Sequence, residues 1–121
     1  MKSYSYKDLI VWQKAIKLVV EIYAVTDEFP HTEIYSLSLQ MRRAGIAIVS
    51  NIAEGQKRGH NKEFLQFLYI AYDSGAELEA QIEICKNLPK MKDLDYTKAE
   101  ELLVEVMKML NGLIRSLKNR S

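Results

Sequence analysis

The sequence predicts an all-α protein, an antiparallel up-down-up-down four-helix bundle, and three observations carry that prediction. Four segments repeat apolar residues at steps of three and four, the spacing of one helical face. Breakers stand between them: Phe29-Pro30, the glycines Gly55 and Gly59, and Pro89. No run alternates apolar and polar residues as a strand would, and no repeat or low-complexity tract competes. Four long helices with short connections close as antiparallel neighbours.

Ser5 and Asp8 have the spacing of a capping box, which opens the first helix over about residues 7–26. From Leu9 to Tyr23 only Gln13, Lys14, Lys17 and Glu21 form a polar strip; the rest, apart from Ile10, is apolar over roughly 200°. So wide an arc points to an oligomer, because a lone bundle hides only one stripe of each helix. Proline at position 30 cannot continue the helix and pushes Phe29 to an extended conformation.

The second helix, from Ile34 to about Gln56, is the centre of the prediction. Ile34, Tyr35, Leu37, Leu39, Met41, Ala44, Ile46, Ile48, Val49, Ile52 and Ala53 fall within roughly 220°, so this helix is expected to bury two faces. A small polar stripe, Ser36, Gln40, Arg43, Ala47, Ser50, Asn51 and Glu54, occupies the remainder. Gly45 marks a close helix crossing, and Gly55 and Gly59 suit a left-handed cap beside the cations Lys57 and Arg58.

Asn61 caps a third helix running to about Asn87, with the seam Phe64, Leu68, Ala71, Gly75, Leu78, Ile82 and Cys85. Pro89 stops it. Asp93 or Asp95 caps a fourth, reaching about Lys118 along Ala99, Leu103, Val106, Leu110, Leu113 and Leu117.

A chain of 121 residues makes a single domain, residues 1–121, that can bury a core without disulfides or metal. Seventeen Lys and Arg against sixteen Asp and Glu give a net charge of +1, so no global field draws the chain to nucleic acid or lipid. One cysteine excludes an intrachain disulfide and fits a reducing compartment. The start MKSYSYKD lacks the apolar core of a signal peptide, and no apolar run approaches the ~20 residues needed to span a bilayer. The expectation is a cytoplasmic protein without membrane contact.

Arg42 projects from inside an apolar arc, and the antiparallel register of helices two and three sets it against Glu77 or Glu79. An Arg42–Glu79 ion pair orienting the bundle is the expected role; a phosphate-binding arginine is the alternative. Lys57, Arg58 and Lys62, with Arg43, form the candidate nucleic-acid-binding set, an ordinary helix-helix turn being the competing reading. Arg115, Lys118 and Arg120 make the other cationic group. Ser50, Asn51 and Glu54 form a polar cluster that satisfies neighbouring backbone, since no histidine or nucleophile accompanies it. Glu28-x-x-His31 is the sole Glu-x-x-His and is interrupted by proline, so no bundle metal site is expected. Cys85 reads as a core thiol, and Phe67, Tyr69 and Tyr72 as core or interface rather than base-stacking rings. No catalytic residue and no cofactor are expected.

The blocks Asp8-Leu9-Ile10-Val11-Trp12-Gln13-Lys14-Ala15, Phe29-Pro30, Leu37-x-x-Gln40-x-Arg42-Arg43-Ala44, Ser50-Asn51-Ile52-Ala53-Glu54-Gly55 with Arg58, Ser74 with Glu77-Leu78, and Leu110-Asn111-Gly112-Leu113-Ile114 resemble the bacterial four-helix-bundle family of 23S rRNA intervening-sequence proteins. The resemblance spans nearly the whole chain and implies a ring-like homopentamer. It also implies a relation to accessory proteins of diversity-generating retroelements, which are basic and bind nucleic acid and the reverse transcriptase. This chain departs from that branch in being nearly neutral. It also has Ala47 and Val49 where relatives often have Ser and Pro, so its second helix should run straighter. Arg42, Arg43, Asn51, Glu54 and Arg58 carry over as motif positions without an assigned role.

The function expected is therefore a non-enzymatic, self-assembling interaction or scaffold protein whose partners are itself and another protein. The alternative is an accessory protein that binds RNA or DNA within a ribonucleoprotein or reverse-transcriptase system.

Overall fold

The computed structural model describes residues 5–120. Residues 1–4 and 121, and the side chains of residues 33–35, lie outside that set, so the leader reading of the first four residues and the placement of Ile34 and Tyr35 in the apolar arc fall there. Four α-helices follow in order: α1 (Ile10–Thr26), α2 (Leu39–Lys57), α3 (Asn61–Asn87) and α4 (Thr97–Arg120). Among the described residues there is no strand.

Contacts between neighbours fix the directions. Met41, early in α2, lies against Cys85, late in α3, with the two sulfurs 3.6 Å apart. Lys86 reaches Glu100 across α3 and α4 at 2.9 Å, and Arg42 stacks over Tyr23 across α1 and α2 at 4.3 Å. Each successive pair is thus antiparallel, and Lys14 closes α1 onto α4 through Glu105 at 3.1 Å. The core is one stack of side chains from all four helices, including Leu18, Ile22, Met41, Ile48, Leu78 and Leu110, each fully buried.

The local readings hold with informative shifts. Ser5 and Asp8 do form the capping box, but it closes a 3-10 turn, Tyr6–Asp8. Leu9 is extended, and α1 starts one residue later with the Tyr6 ring packed 5.0 Å from Trp12. His60, extended at φ −126°, precedes α3, so Asn61 is its first residue rather than its cap. Asp95 is the cap that α4 uses: its Oδ1 accepts the Thr97 N–H at 2.9 Å, and hydrogen bonding from the Thr97 hydroxyl, then from that N–H, lowers its carboxyl pKa. On α4, Ile114 is buried where Leu113 was expected, Leu113 being half-buried, because a 3.6-residue period drifts off a strict three-four alternation.

Two corrections concern α2. Between Phe29 and Leu39 the chain forms a 3-10 turn (His31–Glu33) and then a π turn (Ile34–Ser38) instead of a continuous α-helix. Bonding at i→i+5 slips the helical phase, so the regular α2 wheel begins at Leu39. Gly55 is no cap either. It is buried within α2, where a Cβ would come 2.7 Å from Phe67 Cβ and 2.9 Å from Phe64, so its role is close α2–α3 approach. The left-handed residue is Gly59, at φ +77°. Gly45 does mark a crossing, its Cβ position lying 3.3 Å from Val19 on α1.

Candidate functional site

Antiparallel order brings the start of α1, the end of α2, the start of α3 and the end of α4 to one end of the bundle. That end carries Lys7, Lys57, Arg58, Lys62, Arg115 and Lys118 against the acids Asp8, Glu54 and Glu63. Asp8 is further engaged by the Ser5 N–H. The opposite end mixes signs, with Lys90, Lys92 and Lys98 interleaved with Asp93, Asp95, Glu100 and Glu101. A net charge of +1 therefore conceals a cationic pole. Two of its cations sit on aromatic rings: Lys57 lies 5.8 Å from the Tyr6 centroid and Arg58 5.1 Å from that of Phe67.

Of the four residues in the predicted nucleic-acid set, Lys57, Arg58 and Lys62 meet at this pole. Arg43 does not. Fourteen residues up α2, it stands about 21 Å away at 1.5 Å per residue. What the sequence reading left separate, the α4 tail cations, the fold adds. The signal was available, because an even number of antiparallel helices returns the chain's last helix to the end where the second one stops.

The expected Arg42–Glu79 pair is overturned. Arg42 donates from its NH2 group to Asp27 Oδ1 at 2.7 Å and from Nε to Thr26 Oγ1 at 2.9 Å, and its guanidinium covers the Tyr23 ring. It shares a helical face with Gly45 and Val49, the face that meets α1. The Thr26 hydroxyl, buried, donates in turn to the Ile22 carbonyl at 2.6 Å. Glu79 is exposed on the α4 side of α3, and Glu77 accepts from Gln81 Nε2 in its own helix at 3.1 Å. Arg42 thus ties the end of α1 to α2 and is no open phosphate site.

Ser50, Asn51 and Glu54 do not converge. Asn51 Nδ2 donates to the Ala47 carbonyl at 2.7 Å, while Ser50 and Glu54 are exposed. Cys85 lies in the core, and the neighbouring Tyr96 hydroxyl donates to the Met91 carbonyl at 2.7 Å. Burial raises the Tyr96 phenol far above its ordinary value, with Cys85 adding to the shift.

The wide apolar arcs resolve into an inner and an outer half. Met41, Ala44, Ile48 and Ile52 are buried, but Leu39 and Ile46 remain open on the outside of α2. On α1, Ile10 is exposed at the first position, and Ile16, Val20 and Tyr23, at i, i+4 and i+7, form an exposed apolar strip. The Arg42–Tyr23 stack and the Gly45–Val19 contact place these two strips side by side. Together they form one apolar face over the α1/α2 seam, a larger feature than scattered exposed residues produce. Among the described residues no helix is long and apolar enough to cross a membrane.

The description "23S rRNA-intervening sequence protein" matches residues 7–112 of the chain. A crystal structure of a protein with unknown function from the S23 ribosomal protein family of Bacteroides thetaiotaomicron is similar, with a TM-score of 0.74 at 22% identity. The match covers 88% of this chain and 96% of that one, and it speaks for the fold. No curated protein matches the chain.

Proposed function

The chain belongs to the 23S rRNA-intervening sequence protein family, and from that premise we propose that it is a non-enzymatic interaction protein that self-assembles, as a ring-like homopentamer, and presents its surfaces to a further protein in the cytoplasm. The observation that carries this reading is the apolar α1/α2 face. Val20 and Ile46 keep 59% and 43% of their surface exposed, and Ile16, Tyr23 and Leu39 extend the patch beside them. Burying what remains of each such side chain contributes about 1 kcal/mol, and the sum over the patch is the apolar drive toward association. Light scattering at micromolar concentration tests it. A multiple of the 14.0 kDa chain mass is expected, and a monomer at that mass refutes the proposal.

A second reading has its own observation, the cationic pole. Repeated around an assembly, a modest cluster becomes multivalent for phosphate backbones of RNA or DNA. Fluorescence anisotropy with structured RNA and duplex DNA at about 50 and about 200 mM salt should show binding that weakens steeply. Binding left intact by Lys57→Glu with Arg58→Glu would sink this reading.

A further inference from the structure

The side of the bundle opposite the α1/α2 face carries a groove between α3 and α4. Ala76, Glu79, Ala80 and Glu83 line it from α3, Glu100 and Val104 from α4, and it encloses about 430 Å³. Buried Ile82 and Leu103 form its floor, the alanines at i and i+4 leave its α3 wall low, and Val104 stays 50% exposed at its edge. Glu79 and Glu83 stand exposed on its rim, while Lys86 bonds Glu100 and lies within electrostatic reach of Glu83.

This groove and the α1/α2 face are complementary in three respects. The face projects apolar side chains where the groove is recessed over the apolar Ile82 and Leu103. Arg43, exposed between Leu39 and Ile46 on the α2 strip, sets a cation on the face, whereas the groove rim is acidic. The two also lie at one level along the bundle axis. Gly45 is level with Val19, Met41 with Cys85 and Lys86 with Glu100, so residues 16–23 and 39–46 stand at the height of residues 76–83 and 100–104. Because the two surfaces point away from each other, one copy cannot bring them together.

We propose that the α1/α2 face of one copy seats in the α3/α4 groove of a second copy, with helix axes parallel and Arg43 facing the Glu79 and Glu83 rim. This rests on the self-assembly reading and names its interface. A contact between two different surfaces is heterologous, so each copy adds in the same sense and the series closes into a ring where its rotation permits. Parallel axes place every cationic pole on one side of that ring.

The test is complementation between two full-length variants, Ile46→Glu on the face and Val104→Glu in the groove, followed by light scattering and by circular dichroism for helix content. Both positions are exposed in the single chain, so the fold is retained. Each variant alone should run at 14.0 kDa, and an equimolar mixture should form a species of twice that mass, the intact groove of one receiving the intact face of the other while the glutamate-bearing surfaces repel. Val20→Glu with Ala76→Glu is an independent pair with the same expected result. A groove variant that keeps the wild-type mass, or folded variants whose mixture stays monomeric, overturns the head-to-tail interface while leaving self-assembly standing. A monomeric wild type overturns both.

Discussion

The two ends of the bundle close the same four helices by different means. At the cationic end α2 passes to α3 through three residues, Arg58 to His60, with Gly59 left-handed and Gly55 against the Phe64 and Phe67 rings. At the other end two longer connections, residues 27–38 and 88–96, fold inward and plug the core with Phe29, Met91 and Tyr96. The plug draws polar groups in with it. Thr26, the Arg42 side chain and the Tyr96 hydroxyl all find partners there. The short turn has no residues to spare for a plug, so its polar groups face water and its charges stay available. Tightness at one end comes from backbone approach, and at the other from a satisfied polar network.

The largest way to break that contrast is at Gly55. Gly55→Leu must displace Phe67 Cβ and the Phe64 ring, so it should destabilise by about 3 kcal/mol, read as a lower denaturant midpoint at unchanged slope. Gly75→Ala is the control, because the atom it meets is the flexible end of Met107 and the cost should be small. At the plugged end, Arg42→Ala should cost about 1–2 kcal/mol through the lost Thr26 bond and Tyr23 stack. Asp27→Ala should cost under about 0.5 kcal/mol, since that carboxylate's side chain is 72% exposed.

Tyr96→Phe falls between these two, at about 1 kcal/mol from the lost bond to the Met91 carbonyl. It also carries a pH signature. Because burial raises the phenol's pKa in the folded state, its contribution is fully present below the unfolded value near 10 and is lost as pH rises above it. The wild type should therefore weaken above that pH more than Tyr96→Phe does in an alkaline denaturation series. Smallest of all, Lys57→Glu and Arg58→Glu should shift stability by no more than about 0.5 kcal/mol each, because both are exposed and rest on ring faces. A large loss there would mean that the cationic end is held by its charges after all.

Helix identity was legible because it is local. Apolar residues three and four apart, a proline at 89 and an aspartate at 95 act within one or two turns, and α3 and α4 appear where those signals put them. The excess width of the arcs on α1 and α2 was legible for the same reason, and it is the outer half of each arc that stays exposed. The partner of Arg42 was not. Periodicity assigns a side chain to a face of its own helix, but which neighbour that face meets depends on how the helix is rotated, and that is set by the connection before it. The π turn ahead of α2 and the length of the plugged connection turned Arg42 toward Asp27 and Thr26 instead of Glu79. The cationic pole was hidden in the same way. Lys57, Arg58 and Lys62 are neighbours in the chain, whereas Arg115 and Lys118 join them because antiparallel packing brings residues some fifty positions apart to one end. Sequence by itself determined which residues are helical and which side of each helix is apolar, since a few kcal/mol of local preference and burial decide those. Tertiary structure alone decided which faces meet and where charge accumulates, since those depend on packing summed over the whole bundle.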